Sequence, residues 1–371
     1  MAYPFLLNGK TYTPRNALII AELGTSHGGS LEKARRLIHA ASSAGADCVK
    51  TQIVFADEIL HPHTGFVPLP GGDVSLYDAF KSVERDLNFY RALKEEAVRH
   101  GLLFLAAPFG MRSAVMLFEL GVDFVKIASP ELNHIPLLRY VCSRRLPLLL
   151  SSGVSKLADI EAAVEIAEAS APRSSICLLH CVTAYPAPEE DCNVSLLENL
   201  SAVFGVSAGI SDHSLDACLV PMLAIAHGAC VIEKHLCLSR EDGGLDDPVA
   251  LDPASFASLC RTVRSASKHD SADIIAEARS RFGAERVRAA LGDGVKRLAR
   301  SERDNYLRTN RSIHAVCDIQ EGEAFTESNT AVLRTEKALR PGLPPCFFEA
   351  LLGRAARAAI PSGEGIRLQD I

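Results

Sequence analysis

Residues 207–236, SAGISDHSLDACLVPMLAIAHGACVIEKHL, read as strand, helix, strand. SAGIS and CVIEK are short apolar runs of strand character, and LDACLVPMLAIAHGA between them has the length and small-residue content of a helix. Each strand leads into a histidine, and His213 and His235 stand 22 residues apart, the length of one strand and helix repeat. A right-handed parallel crossover puts two such imidazoles at the carboxyl ends of neighbouring strands, where they could share one metal ion.

Working outward, the same pattern recurs. ALIIAEL, DCVKTQI, LLFLAAPF, DFVKIAS, PLLLSS, ICLLHCV, SAGIS and CVIEK make eight candidate strands. Amphipathic stretches such as SLEKARRLIHAASSAG, LNFYRALKEEAVRHG and KLADIEAAVEIAEAS lie between them, several closing on a glycine suited to a helix C-cap. Nearly continuous apolar strands alternating with helices indicate a helix-covered parallel sheet, and eight repeats in about 250 residues indicate a closed (β/α)8 TIM barrel, an α/β fold. An open doubly wound sheet is the alternative, but no GxGxxG follows the first strand. The leader FLLNGKTYT suits a small hairpin.

Two stretches break the repeat. Val54 to Asn88 is a long Pro-, Gly- and Asp-rich insertion, the kind of loop that acts as a lid or binding loop. It carries His61 and His63, read as ordinary loop histidines rather than metal ligands. After VALDPASFASLCRTVRSAS the barrel pattern fades, so residues 1–270 are assigned to the barrel, 271–310 to a linker and 311–371 to a small α+β domain with short β-like runs and turn residues. From Arg279 to Arg311 ten basic residues face four acids, read as a solvated inter-domain helix rather than a nucleic-acid contact.

Composition narrows the classes. With 371 residues, 48% hydrophobic, the chain can bury a large core and a smaller second one. A net charge of -6 argues against a nucleic-acid partner. No apolar run reaches the roughly 18 to 20 residues that span a bilayer, and MAYPFLLNGK lacks the features of a signal peptide, so no membrane partner and a cytoplasmic location are expected. The 11 cysteines form no CxxC pair and read as reduced core residues.

In such a barrel the active site lies at the carboxyl ends of the strands, and the polar residues there are unusual for strands so apolar. They are Glu22; Lys50 and Gln52; Lys126, Ser129 and Glu131; Ser151 and Ser152; His180, Thr183 and Tyr185; Ser211, Asp212 and His213; and Glu233, Lys234 and His235. Lys50 and Lys126 with Ser129, Ser152 and Ser211 suit a phosphate plus a carboxylate, because buried ammonium groups need anions to offset desolvation. Glu22 and Tyr185 suit a second, polar substrate. His213 and His235 suit a divalent metal acting as Lewis acid on a carbonyl, with Asp246 in the loop GGLDD a further candidate.

The runs IIAELGTSHGGSLEKARRLIHAASSAGADCVKTQ, VKIASPE, SSGVS, LHCVTAYPAPEED, GISDHS and VIEKHLCLSR, with RSIHA, DIQEGE and LRTEKALRPG, resemble the sialic acid synthase family, whose members join a phosphoenolpyruvate-dependent barrel to an antifreeze-like (SAF) domain. The resemblance spans nearly the whole chain. It implies condensation of phosphoenolpyruvate with an N-acetylated aldose, typically N-acetylmannosamine, giving a nonulosonic acid and phosphate. It further implies His213 and His235 as ligands of a divalent metal, usually manganese, with magnesium or cobalt as substitutes. Lys50, Lys126, Ser129, Ser152 and Ser211 would hold phosphoenolpyruvate, with Glu131 and Thr183 also facing substrate. Glu22, Gln52, Tyr185 and Asp246 would face the sugar, and Arg334 would reach in from the partner subunit of a domain-swapped homodimer, with Arg340 as its rival. SHGG, Pro130 and Thr183 depart from the family's usual pattern and leave the acceptor open, including acceptors for legionaminic- or pseudaminic-type acids or another deoxy-sugar acid. A non-catalytic carbohydrate-binding protein is the alternative outside enzymes.

Overall fold

The computed structural model describes residues 3–69 and 72–371. Eight parallel strands, β1 (Leu18–Gly24), β2 (Cys48–Ile53), β3 (Leu103–Pro108), β4 (Val125–Ile127), β5 (Leu148–Ser151), β6 (Ile176–Cys181), β7 (Ser207–Asp212) and β8 (Val231–His235), follow the expected order around a barrel. Ladders join every neighbouring pair except β3 and β4, which lie side by side and nearly close the ring. Helices α1 (Leu31–Ala44), α2 (Leu87–Arg99), α3 (Met111–Glu119), α4 (Ile135–Cys142), α5 (Leu157–Glu168), α6 (Leu196–Phe204), α7 (Leu219–Ala226) and α8 (Pro253–Ala266) cover its outside.

Strand periodicity sorts every residue to one of two faces. Ile19, Ala21, Val49, Leu148, Leu150, Ala208 and Ile232 pack outward among the helices. Leu18, Ile20, Cys48, Leu105, Phe124, Leu149, Cys177, Leu179 and Val231 fill the lower lumen with Phe5, Leu7 and Tyr12. Those last three come from the expected leader hairpin, Phe5–Leu7 paired antiparallel with Lys10–Tyr12, which plugs the amino-terminal end of the barrel. Above this apolar floor the lumen turns polar.

The helix expected over residues 215–229 is shorter, Leu219–Ala226, because Asp216 turns the chain first: its Oδ1 accepts from the amides of Cys218 and Leu219 at 2.8 and 3.0 Å. All eight of its residues are buried. Two further helices explain this, α9 (Ser271–Phe282) and α10 (Ala284–Leu291), whose Ile274, Ala278, Val287 and Ala290 join the main core. The first half of the stretch assigned to the linker is thus helical and packs onto the barrel wall. Its charges serve that packing, as when Arg286 pairs with Glu189 and Asp216.

From Gly292 the chain crosses the upper ends of β5 and β6 and enters the C-terminal domain, where β9 (Arg311–Ala315) pairs antiparallel with β10 (Thr330–Arg334) over a small core that includes Ile313, Phe325 and Ile366. This domain sits on the mouth of its own barrel. Within the single chain Arg334 therefore reaches its own barrel, over the short, anchored path of residues 292–310. Asn199 Nδ2 donates to the Gly294 carbonyl at 2.7 Å, Lys296 Nζ to the Ser152 carbonyl at 2.9 Å, and Asn310 Nδ2 to the Val154 carbonyl at 2.8 Å. The insertion after β2 folds into two helical turns, a hairpin, Phe66–Leu69 with Gly72–Ser75, and a short helix, Leu76–Ser82. It meets the C-terminal domain through His61 Nε2 and Ser362 Oγ, 3.1 Å apart, and through the Ala338 amide, which donates to the Thr64 carbonyl at 2.9 Å. No helix among the described residues is long and apolar enough to cross a membrane.

Candidate active site

Inward-facing positions of five strands build a charged layer on the apolar floor. Lys50 Nζ stands 2.8 Å from Glu22 Oε2 and 3.4 Å from Glu233 Oε1. Lys126 Nζ donates to the same Glu233 oxygen at 3.0 Å, and Ser211 Oγ adds a bond at 2.9 Å. All five residues are buried. Two lysines against two glutamates leave the layer neutral, but its groups are unevenly held. Burial alone would push Glu233 up, yet Lys126 and Lys50 overcome it and hold the carboxyl at about 2. Burial dominates at Glu22, which rises to about 7 although Lys50 opposes the shift. Burial also pulls Lys126 below the ordinary lysine range despite Glu233. An incoming anion would restore what burial takes from that ammonium.

Above the layer stand two imidazoles. The His213 and His235 ring centres lie 5.4 Å apart, and Tyr185 stacks on His213 at 4.3 Å. His213 Nδ1 donates to the Val182 carbonyl at 2.8 Å, which leaves Nε2 as the nitrogen free to ligate. His235 Nδ1 is buried without a hydrogen-bond partner, 3.9 Å from Asp246 Oδ2. Burial, with His213 adding to it, keeps His235 neutral, as a metal ligand must be. At His213 burial is outweighed by Cys181, whose Sγ lies 3.8 Å from Nδ1, and the ring rises to about 9. A metal would have to displace that proton. No group of three His, Cys, Asp or Glu side chains that could hold a metal is assembled among the described residues, and a cation held by the two imidazoles would take its other ligands from water and substrate.

Asp246 reaches this level because its neighbour anchors the loop: Asp247 accepts from Ser26 Oγ at 2.5 Å and from the Gly244 amide at 2.8 Å. Gln52 Nε2 donates to Glu22 Oε1 at 3.3 Å. Gln52, Thr183, Tyr185, Asp246 and Arg334 line one cavity of about 440 Å³ under the C-terminal domain. Its remaining wall is largely apolar, with Leu76, Phe80, Phe109, Ala128, Pro130 and Leu245.

The arginines of β9 and β10 form the roof. Arg311 and Arg334 are paired in register, so both guanidinium groups fall on one carboxylate: Glu131 Oε1 accepts from Arg311 Nη2 at 2.9 Å and from Arg334 Nη2 at 2.7 Å. Arg311 is buried and also donates to the carbonyls of Glu58 and Phe109, each at 2.6 Å. Arg334 lines the cavity, whereas Arg340 is engaged by Glu364 and Asp370 inside the C-terminal domain.

Residues 37–274 match the NeuB family model and residues 310–371 the SAF domain model. The chain belongs to the NeuB family. The N,N'-diacetyllegionaminic acid synthase of Campylobacter jejuni is 32% identical over 95% of this chain and 99% of its own length. A pseudaminic acid synthase from the same species is 31% identical over 98% of each chain. The crystal structure of the spore coat polysaccharide biosynthesis protein SpsE of Bacillus subtilis superposes with a TM-score of 0.81 at 33% identity, covering 99% of both chains.

The NeuB-type barrel therefore brings together Glu22, Lys50, Gln52, Lys126, Ser211, His213, His235, Tyr185, Asp246, Thr183 and Arg334. Ser129 lies beside them, its Oγ accepting from the Gly153 amide at 3.1 Å. Two expected substrate residues are otherwise engaged. Ser152 donates its hydroxyl to the Leu179 carbonyl at 3.2 Å, and Glu131 is spent on the two arginines. Glu233 stands at a strand end, and its even spacing from Val231 and His235 is the signal that turns it inward to hold both lysines. Arg311, at the start of RSIHA, is explained only by its register with Arg334. Lys296 and Glu302 gave no signal, since Lys296 lies in irregular chain and Glu302 in a single short 3-10 turn, Arg300–Glu302, without periodicity.

Proposed function

We propose that the chain condenses phosphoenolpyruvate with an N-acylated aldose to give a nonulosonic acid and phosphate. The observation that carries this reading is the pair of buried lysines, Lys50 and Lys126, in the charged floor they form with Glu22 and Glu233 inside the barrel, whose mouth holds the two imidazoles and a cavity lined by Gln52, Tyr185 and Asp246. Such a floor suits a small dianion, and the upper level suits a neutral polyol. In this scheme C3 of phosphoenolpyruvate bonds to the acceptor's aldehyde carbon, water adds at C2, and the C2–O bond to phosphate breaks. A divalent metal ion on His213 and His235, manganese being the first candidate, would supply Lewis-acid polarisation of the aldehyde.

The chain's own residues carry the rest. Lys50, Lys126 and Ser211 orient the carboxylate and phosphate, with Ser129 at the side. Glu22, with its carboxyl near 7, can hold or release a proton at neutral pH. Arg334 and the roof exclude water from the reacting carbons. The apolar wall of Leu76, Phe80, Phe109 and Leu245 supports a finer reading, an acceptor whose second N-acyl methyl packs there, as for a diacetylated legionaminic- or pseudaminic-type product.

Phosphate release from phosphoenolpyruvate, assayed with mono- and di-N-acetylated hexoses with and without manganese, tests both levels. Release with any of these sugars supports the condensation, and preference for the diacetylated one supports the finer reading. No release with any acceptor would overturn the proposal.

A further inference from the structure

Val154, in the loop after β5, has a φ of 42°, in the left-handed region that β-branched residues avoid. It is fully buried, and both of its peptide groups are held from the connector. Its N–H donates to Glu302 Oε1 at 2.7 Å, and its carbonyl accepts from Asn310 Nδ2 at 2.8 Å. The same Glu302 oxygen accepts from the Thr183 amide at 2.6 Å, while Oε2 accepts from the Ala299 amide at 3.2 Å. Glu302 is 1% exposed, so three backbone amides offset the desolvation of its carboxylate.

What this arrangement holds is the wall beside the lysines. The Gly153 amide donates to Ser129 Oγ at 3.1 Å. A β-carbon at Gly153 would come within 2.1 Å of Thr183 Oγ1 and 2.8 Å of Ser129 Oγ, so the ends of β4, β5 and β6 interlock around that glycine. Strained backbone persists only where its surroundings over-determine it, and here the over-determination comes from residues 302 and 310.

We propose that Glu302 and Asn310 are positioning residues, a clamp in the connector that keeps Val154 left-handed and so fixes Ser129, Gly153 and Thr183 as one anion-facing wall. The clamp rests on the assignment of that wall to phosphoenolpyruvate, and it couples the seating of the connector to the affinity for that substrate. The acceptor side of the cavity, at Gln52 and Asp246, is touched by the clamp through Thr183 alone.

The test uses the full-length protein. Glu302→Ala should speed hydrogen exchange at the amides of 153–155 and 183 about tenfold or more and raise the phosphoenolpyruvate Kd by a similar factor. Its kcat at saturating substrate should change less than about threefold. Glu302→Gln, whose amide oxygen still accepts, should fall between. Adding Val154→Gly to Glu302→Ala should slow the exchange again and recover most of the affinity, because glycine adopts this backbone without a clamp. A purely structural role for Glu302 would lower Tm with no rescue by glycine. Unchanged exchange in Glu302→Ala, or a folded double variant that binds no better than the single one, would overturn the clamp. Failure of the unaltered protein to bind phosphoenolpyruvate would instead overturn the proposed reaction, while the exchange measurement, which needs no ligand, still decides the clamp.

Discussion

Lys126 has one acidic partner, Glu233, and sits where burial already weakens its charge. Charged hydrogen bonds contribute about 1.5–3 kcal/mol, so Lys126→Ala should weaken phosphoenolpyruvate binding by about ten- to a hundredfold and leave sugar binding far less changed, as calorimetric titration would measure. Equal affinity in the variant would remove Lys126 from the site. His235→Ala should abolish turnover with the fold intact, and a chelator should do the same reversibly. Full turnover by a metal-free sample would refute the metal. These residues were legible because strands have period two: Glu22, Lys50, Lys126, Ser211, Glu233 and His235 share the inward parity of an otherwise apolar lumen. The same rule separates their neighbours. Asp212 and Lys234 have outward parity and pair with each other at 2.5 Å, a buried structural bond beneath the helices.

At the scale of elements, the β9–β10 register is what delivers two arginines to Glu131. Glu131→Gln leaves two guanidinium groups at a closed interface without their carboxylate, which should destabilise the seating of the C-terminal domain by about 3–5 kcal/mol. Limited proteolysis of residues 292–310 would read this as faster cleavage. The domain also carries an acid sensitivity. His314 is buried between Gly363, Ser312 and Thr335, and burial holds it down to about 4 against an ordinary 6.5. The unfolded chain then binds the extra proton between pH 6.5 and 4, so stability falls as pH drops through that window, by up to about 3 kcal/mol. Melting curves at pH 7, 5.5 and 4 should show the loss, flattened in His314→Gln. None of these contacts was legible in the sequence. Helices and strands announce themselves by period, but the pairing of Arg311 with Glu131 joins residues 180 apart through two irregular crossings.

For the whole molecule, the anchored connector brings Arg334 to the mouth of the same chain's barrel, and the prediction that follows is for an arginine acting there. Mixing Arg334→Ala with His213→Ala protein should therefore restore no activity, even after verified subunit exchange. Recovery would mean that the arginine acts across a dimer. The repeat count made the barrel legible. The seating of the second domain was not, because it depends on how residues 271–291 pack, and their apolar faces are narrow stripes in a strongly charged stretch.

The hairpin that plugs the lower end turns the lumen into a blind tube, with traffic through one mouth only. Lys50 and Lys126 stand within their strands whereas Tyr185 and Asp246 lie in loops beyond the strand ends, so whatever occupies the upper level stands between the mouth and the lysines. Order of addition follows from shape alone. The dianion has to arrive first, and an acceptor that settles early makes a dead-end complex. Initial velocities should show inhibition by high acceptor that is relieved by raising phosphoenolpyruvate. A random-order pattern without that inhibition would mean that the roof or the insertion opens a second way in.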